Sequence, residues 1–262
     1  MELPARHAEF GNRTSESARH HMREEEDLMQ RTTRTVLVVM TVMLVSAVVI
    51  WAAVTPYTQT FEGLNQADPT ALGNDGWLVY GNVWAPDGTT YIGGYGPFPA
   101  PNGGPGFCAI ANGQGGPAQG DQQLVVYSNY DDPNHGNGSN NIVEANVYQE
   151  QTIEAGDVGA TVAFSFDAKR GDLAGISEAY AFIKTIDPNS GFATTNFVTV
   201  NMTPIPTTWG TYSIELFIDA GLVDQLLQFG FAARASNYEP SGVFYDNVNQ
   251  PVPVELMNIS VE

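Results

Sequence analysis

The sequence predicts an all-β protein, a two-sheet antiparallel β-sandwich over residues 55–250 preceded by one N-terminal apolar helix. Three observations carry this. After residue 55 the chain is a series of short runs in which apolar and polar residues alternate, broken by Gly, Pro, Asn and Asp. Charged residues are only 15% while Gly (27) and Pro (16) are abundant, the composition of a chain with many turns. No convincing helical period follows residue 55; "AGLVDQLLQ" (220–228) supplies one turn at most.

The elements are justified in chain order. Residues 1–35 are polar, with "REEED" at 23–27 and three of the four histidines (His7, His20, His21), and are assigned no fold. Adjacent histidines in such a tail read as incidental rather than as a metal site. Residues 36–54, "VLVVMTVMLVSAVVIWAAV", are interrupted only by Thr41 and Ser46. At about 1.5 Å per residue this run nearly matches a bilayer core. Arg31 and Arg34 precede it, which places the N-terminus in the cytoplasm and residues 56–262 outside. Two readings stand side by side: an uncleaved transmembrane signal anchor behind a cytoplasmic tail, or a secretory signal peptide whose true start is Met29. Both give an extracytoplasmic domain, held at the cell surface or secreted.

The strands follow at "WLVYGNVW" (77–84), "QQLVVYSNY" (122–130), "NIVEANVYQEQTI" (141–153), "ATVAFSFDAK" (160–169), "AYAFIKTI" (179–186), "NFVTV" (196–200), "GTYSIELFID" (210–219), "LLQFGFAAR" (226–234) and "GVFYDNV" (242–248). Val162, Phe164 and Phe166 share one face, as do Leu227, Phe229 and Phe231, and as do Tyr212, Ile214, Leu216 and Ile218. The stretch 86–120 holds too many turn-formers for regular strands; its aromatics (Tyr91, Tyr95, Phe98) predict a long loop ordered against the sandwich. "YDDPNHGNGSN" (130–140) lacks the terminal Glu and the spacing of a calcium-binding loop and reads as a solvated turn. The single cysteine, Cys108, allows no intrachain disulfide and reads as a small buried hydrophobe.

In the closing strand, strict alternation puts Phe244, Asp246 and Val248 on one face. An unpaired buried carboxylate is costly, so Asp246 requires a cation or several hydrogen-bond donors. Charge is one-sided: residues 56–262 carry 4 basic residues (Lys169, Arg170, Lys184, Arg234) and 22 acidic ones, a net of −18. That excludes a nucleic-acid partner and leaves neutral ligands and cations.

The order of these segments resembles the carbohydrate-binding modules of the 4/9 type, within the galactose-binding-like jelly rolls. The matching residues are "FEGL" at 61–64 with "GW" at 76–77, "VYQEQTIEAGDVGATVAFSFDAK" at 147–169, "TTWGTYSIELFID" at 207–219 and "GVFYDNV" at 242–248. The likeness spans about residues 58–250; the Gly/Pro-rich stretch 86–120 departs from it. The resemblance implies a polysaccharide or glycan ligand. It also implies one structural Ca²⁺ held by the early Glu and the late Asp, Glu62 and Asp246 here. The alternative for Asp246 is a set of backbone N–H donors without metal.

Glycan recognition stacks sugar faces on exposed aromatics and reads hydroxyls with amides and carboxylates. The candidates are Trp84, Tyr91, Tyr95 and Tyr130 on loops, with Tyr148 and Gln149 on the strand that corresponds to the family's binding face. A structural alternative is a surface-anchored or self-assembling subunit, in which residues 251–262 ("PVPVELMNISVE") add a strand to a neighbour or serve as an edge strand or tail of their own domain. An enzyme is not expected: Glu144, Glu150 and Glu154 stand in no recognisable active-site motif, and the outer domain has one histidine, His135.

Overall fold

The computed structural model describes residues 54–135 and 139–251 and the backbone of 254–255. The tail 1–35 and almost all of the apolar run 36–54 lie outside the described residues, as does most of 251–262. Among the described residues no helix is long and apolar enough to cross a membrane.

Among the described residues, thirteen strands form two antiparallel sheets. The first sheet runs β10 (Gly210–Phe217), β7 (Ala160–Arg170), β12 (Val243–Gln250), β5 (Gln122–Tyr127), β4 (Phe107–Asn112). Within it β1 (Tyr57–Gln59) pairs with β12, and β13 (Val254–Glu255) with β7. The second sheet runs β3 (Tyr91–Pro99), β2 (Leu78–Trp84), β6 (Ile142–Thr152), β11 (Leu226–Ser236), β8 (Glu178–Asp187), β9 (Ala193–Asn201). One short helix, α1 (Ala71–Asn74), joins β1 to β2.

The sheets meet through the aromatic faces that alternation selects. Phe164 and Phe166 of β7 face Phe229 and Phe231 of β11 at centroid separations of 5.2 Å and 5.0 Å. Tyr245 of β12 stacks on Phe231 at 3.7 Å. Trp77 lies against Phe61, Tyr57 and Phe231. All but Tyr57 are essentially sealed from solvent. Burying such rings is the main favourable contribution to folding, each on the order of 2 kcal/mol or more.

Three expectations change. The stretch 86–120 is not one loop, because it contains β3 and β4. β3 is an edge strand with one ladder to satisfy, so Pro97 and Pro99 are tolerated. Its ring Tyr95 turns inward over Gly81, where any Cβ would collide with the phenol, and packs edge-on against Phe107 of β4 at 6.1 Å.

The 130–140 segment is not simply solvated. Tyr130 stacks on Tyr127, and His135 is fully buried, its Nε2 2.9 Å from the Ala235 carbonyl.

The alternation of β12 also breaks. Asn247 adopts a left-handed φ of 46° at a bulge between Asp246 and Asn249. Phe244 therefore faces outward beside Lys169, whereas Val248 is buried in the core. Asp246, opposite Asp167 in the ladder and next to core-facing Tyr245, lies on the outward face. It is buried because a loop covers it.

Candidate functional site

The covered acid comes first. β1 pairs with β12 through Tyr57–Gln250 and Gln59–Val248, which brings the turn after β1 alongside the closing strand. Glu62 lies in that turn. Its Oε1 accepts hydrogen bonds from the amides of Asp121 (2.8 Å) and Gln122 (2.7 Å), neither of which uses Oε2. The segment 113–121 closes over the outward face of the first sheet. There Gln119 Nε2 and Asn247 Nδ2 donate to Asp167 Oδ2 at 2.7 and 2.8 Å, and the Thr211 hydroxyl donates to Oδ1 at 2.6 Å. Burial works to raise the Asp167 carboxyl, but those three hydrogen bonds together bring it below its usual value.

Asp246 differs. It is fully buried, its Oδ1 accepts the Asn247 amide (2.6 Å), the Gln123 side chain lies beside it, and its Oδ2 has no hydrogen-bond partner. Burial first, then the negative charges of Glu62 and Asp167, push its carboxyl up to about 7. An orphaned buried carboxylate oxygen beside a second carboxylate fits a hard cation such as Ca²⁺, with Glu62 and Asp246 as its charged ligands. Among the described residues no group of three or more His, Cys, Asp or Glu side chains is placed to hold a metal. The remaining ligands of such an ion would therefore be backbone carbonyls and water.

The second feature is the outward face of the second sheet. Register aligns four rows of side chains across it. Asn82, Glu144, Arg234 and Glu178 form the first, and Tyr80, Asn146, Ala232, Tyr180 and Asn201 the second. Leu78, Tyr148, Gly230, Phe182 and Thr199 form the third, and Glu150, Gln228, Lys184 and Phe197 the fourth. The central strand β11 supplies only Gly230 and Ala232 to the middle rows. A Cβ at position 230 would press on the Tyr148 backbone. The result is a low floor between Tyr80 and Tyr148 on one side and Tyr180, Phe182 and Phe197 on the other, about 20 Å from first row to last at roughly 3.4 Å per residue.

Charged groups close both ends of this trough. Glu144 accepts from Asn82 Nδ2 (2.8 Å) and pairs with Arg234 Nε (3.2 Å). Arg234 also bonds Glu178 (3.2 Å) and the Gly88 carbonyl (2.8 Å), and its guanidinium lies 5.6 Å from the Trp84 ring. At the other end Gln228 Nε2 donates to Glu150 Oε2 (2.6 Å), while Gln228 Oε1, although buried, has no hydrogen-bond partner. Lys184 Nζ lies 5.2 Å over Phe182 and 6.0 Å over Tyr148. Burial holds this ammonium below its ordinary value, against the pull of Glu144 and Glu150. Burial and then the Glu144 charge push the Tyr180 hydroxyl far up. On the rims Tyr91 and Phe197 are each 51% exposed.

The six residues named from sequence separate. Tyr148 lies within the trough and Trp84 and Tyr91 at its Arg234 end, where the two rings meet edge-on at 5.2 Å. Tyr95 turns inward, its hydroxyl accepting from Asn129 Nδ2 (2.8 Å). Gln149 also points off the trough, donating to the Asp75 carbonyl at 3.1 Å. Tyr130 belongs to another edge of the molecule, donating to the Glu239 carbonyl (2.7 Å) and contacting Ser241. The trough residues that sequence reasoning missed are Asn82, Asn146, Gln228, Lys184 and Arg234, with the rings of Tyr80, Tyr180, Phe182 and Phe197. The one signal for them was polar residues recurring at every second position of β6, Glu144, Asn146, Tyr148 and Glu150.

No protein-family model matches the sequence, and no curated protein matches it. Among solved structures the likeness is to carbohydrate-binding modules and to others besides. The xylan-binding CBM22-1 domain of Paenibacillus barcinonensis Xyn10C is 12% identical, at a TM-score of 0.36 over 56% of this chain and 81% of that one. A bacteriophage CBA120 tailspike enzymatic domain is 13% identical, at a TM-score of 0.41 over 73% of this chain but 21% of its own. An apo cyclase from Fischerella sp. is 14% identical, at a TM-score of 0.43 over 75% of this chain and 96% of its own. The carbohydrate-binding modules among these neighbours include types 22 and 16.

Proposed function

We propose that this chain is an extracytoplasmic, non-catalytic glycan-binding module whose ligand lies along the trough of the second sheet, with a Ca²⁺ ion bound by Glu62 and Asp246 as a structural staple. One observation carries the reading. Glu144, Asn146 and Gln228 are each nine-tenths or more buried on the face turned away from the core, in a line between two banks of aromatic rings. Apolar rings suit the C–H faces of sugars, and amides and carboxylates between them suit the hydroxyls.

Binding rather than hydrolysis is supported by spacing. Glu144 and Glu150 are six residues apart on one strand, about 20 Å, whereas paired glycosidase carboxylates stand roughly 5–9.5 Å apart. Glu178 is tied to the same guanidinium as Glu144. A strand donated to a neighbouring copy has less support, since residues 254–255 pair with β7 of their own chain.

The test is a glycan array on the full chain, followed by calorimetry of the best neutral oligosaccharide on wild type, Tyr91→Ala and Phe197→Ala. Both rings are half exposed, so stability should change by no more than about 0.5 kcal/mol. Affinity should fall about tenfold, roughly 1.4 kcal/mol. An array without hits, or variants that bind like wild type, would sink the reading.

A further inference from the structure

The outward face of the first sheet carries a second cavity, of about 720 Å³, beyond the covering segment 113–121. Lys169, Phe244 and Val125 are cross-strand neighbours on β7, β12 and β5 and all line it. Tyr127 and Tyr130, stacked 6.0 Å apart and within 5° of parallel, line it too, with Gln114 and Thr207.

The cation here has an unusual setting. Lys169 Nζ lies 5.3 Å from the Phe244 ring centre, 5.4 Å from that of Trp209 and 3.3 Å from Gln114 Oε1. Two ring faces and an amide hold it in place, and none carries a negative charge. Arg170 lines the same cavity, and among the described residues no carboxylate lies within ion-pair distance of either cation. The one acid in the lining, Asp172, uses Oδ1 to accept the Gly242 amide at 2.9 Å. Half of the four basic residues between 56 and 262 thus meet in one cavity of a domain with 22 acids, without an acid partner among the described residues. Burial holds the Lys169 ammonium below its ordinary value, so an anion beside it restores what desolvation costs.

We propose that this cavity is a second ligand site, separate from the trough, and that it takes an acidic sugar. The apolar face of a hexuronate ring would rest on Phe244 and Tyr127, and its carboxylate would meet the Lys169 ammonium. A bare inorganic anion would leave the aromatic floor unused, and an acidic peptide offers no ring face to it.

Calorimetry of the full chain with trigalacturonate tests this, with neutral trigalactose and triglutamate as comparison ligands. Trigalacturonate binds, at least tenfold more weakly to Lys169→Met and within about threefold of wild type to Lys169→Arg. The affinity falls between 50 and 500 mM salt, as a charge-dependent contact requires. Tyr91→Ala leaves it unchanged, and Lys169→Met leaves the neutral-glycan affinity of the trough unchanged, so either site can fail alone. Absence of trigalacturonate binding, or equal binding to Lys169→Met of unaltered melting temperature, overturns the proposal. Triglutamate or trigalactose binding as tightly overturns the assignment to an acidic sugar.

Discussion

Glu144 and Asp246 are both carboxylates buried on outward sheet faces, and they are completed differently. Glu144 has its counter-charge inside the chain: Arg234 at 3.2 Å, with Asn82 donating as well. Asp246 receives one backbone amide and faces two further negative charges, leaving an oxygen without a partner. A buried acid that brings its own cation belongs to a finished surface. One that lacks it is left either to hold its own proton or to take a cation from outside, the choice on which the proposed Ca²⁺ turns.

The strongest way to break this contrast is to remove the proposed metal. If Ca²⁺ binds at 100–1,000 times its Kd, it stabilises the fold by about 3–4 kcal/mol. EDTA should then lower the melting temperature by roughly 10 °C, given about 2–4 °C per kcal/mol in a domain of this size. Asp246→Ala should melt at one temperature with and without chelator. Wild type that ignores EDTA in scanning calorimetry would place Asp246 with the metal-free carboxylates.

A smaller effect comes from pH. In the metal-free chain the Asp246 carboxyl sits at about 7 against roughly 3.9 unfolded. A carboxyl raised in the folded state favours folding below its unfolded value, and that advantage is lost as pH rises through 7. EDTA-treated protein should therefore melt lower at pH 8 than at pH 5, by the equivalent of at most about 3 kcal/mol. Saturating Ca²⁺, or Asp246→Asn, should flatten the difference. A curve that rises over this window contradicts the assigned sign.

The smallest change sharpens the Glu144 side. Arg234→Ala leaves Glu144 without its cation and Trp84 without the guanidinium above it, and should cost about 2 kcal/mol by urea denaturation. The double variant with Glu144→Ala should recover part of that loss. If the two losses simply add, the pair is not coupled.

Much of the fold was legible because alternation is a local signal. Phe164, Phe166, Phe229 and Phe231 announce their shared faces within a few residues of sequence. Where one ladder suffices, the signal fades: β3 keeps its place at the edge despite three glycines and two prolines. A single bulge at Asn247 defeats it, sending Phe244 outward and Val248 inward. That Glu62 lies near enough for its charge to act on Asp246 could be anticipated only through the resemblance, because the two stand at opposite ends of the domain sequence. The trough could not be, because it exists only in register. Asn82, Glu144 and Arg234 come from three strands and share a row only once β2, β6 and β11 are aligned. Tyr148 and Gln149, adjacent in sequence, point to opposite faces.

Tyr57 and Gln250 are cross-strand partners, so the first strand begins within about 5 Å of where the last long strand ends. The start of β1 and the end of β12 therefore lie side by side within the first sheet. The ladder between them is the place where force applied across the two ends would act, opening its pairs one after another, and the carboxylates of Glu62 and Asp246 lie at the inner end of that zip.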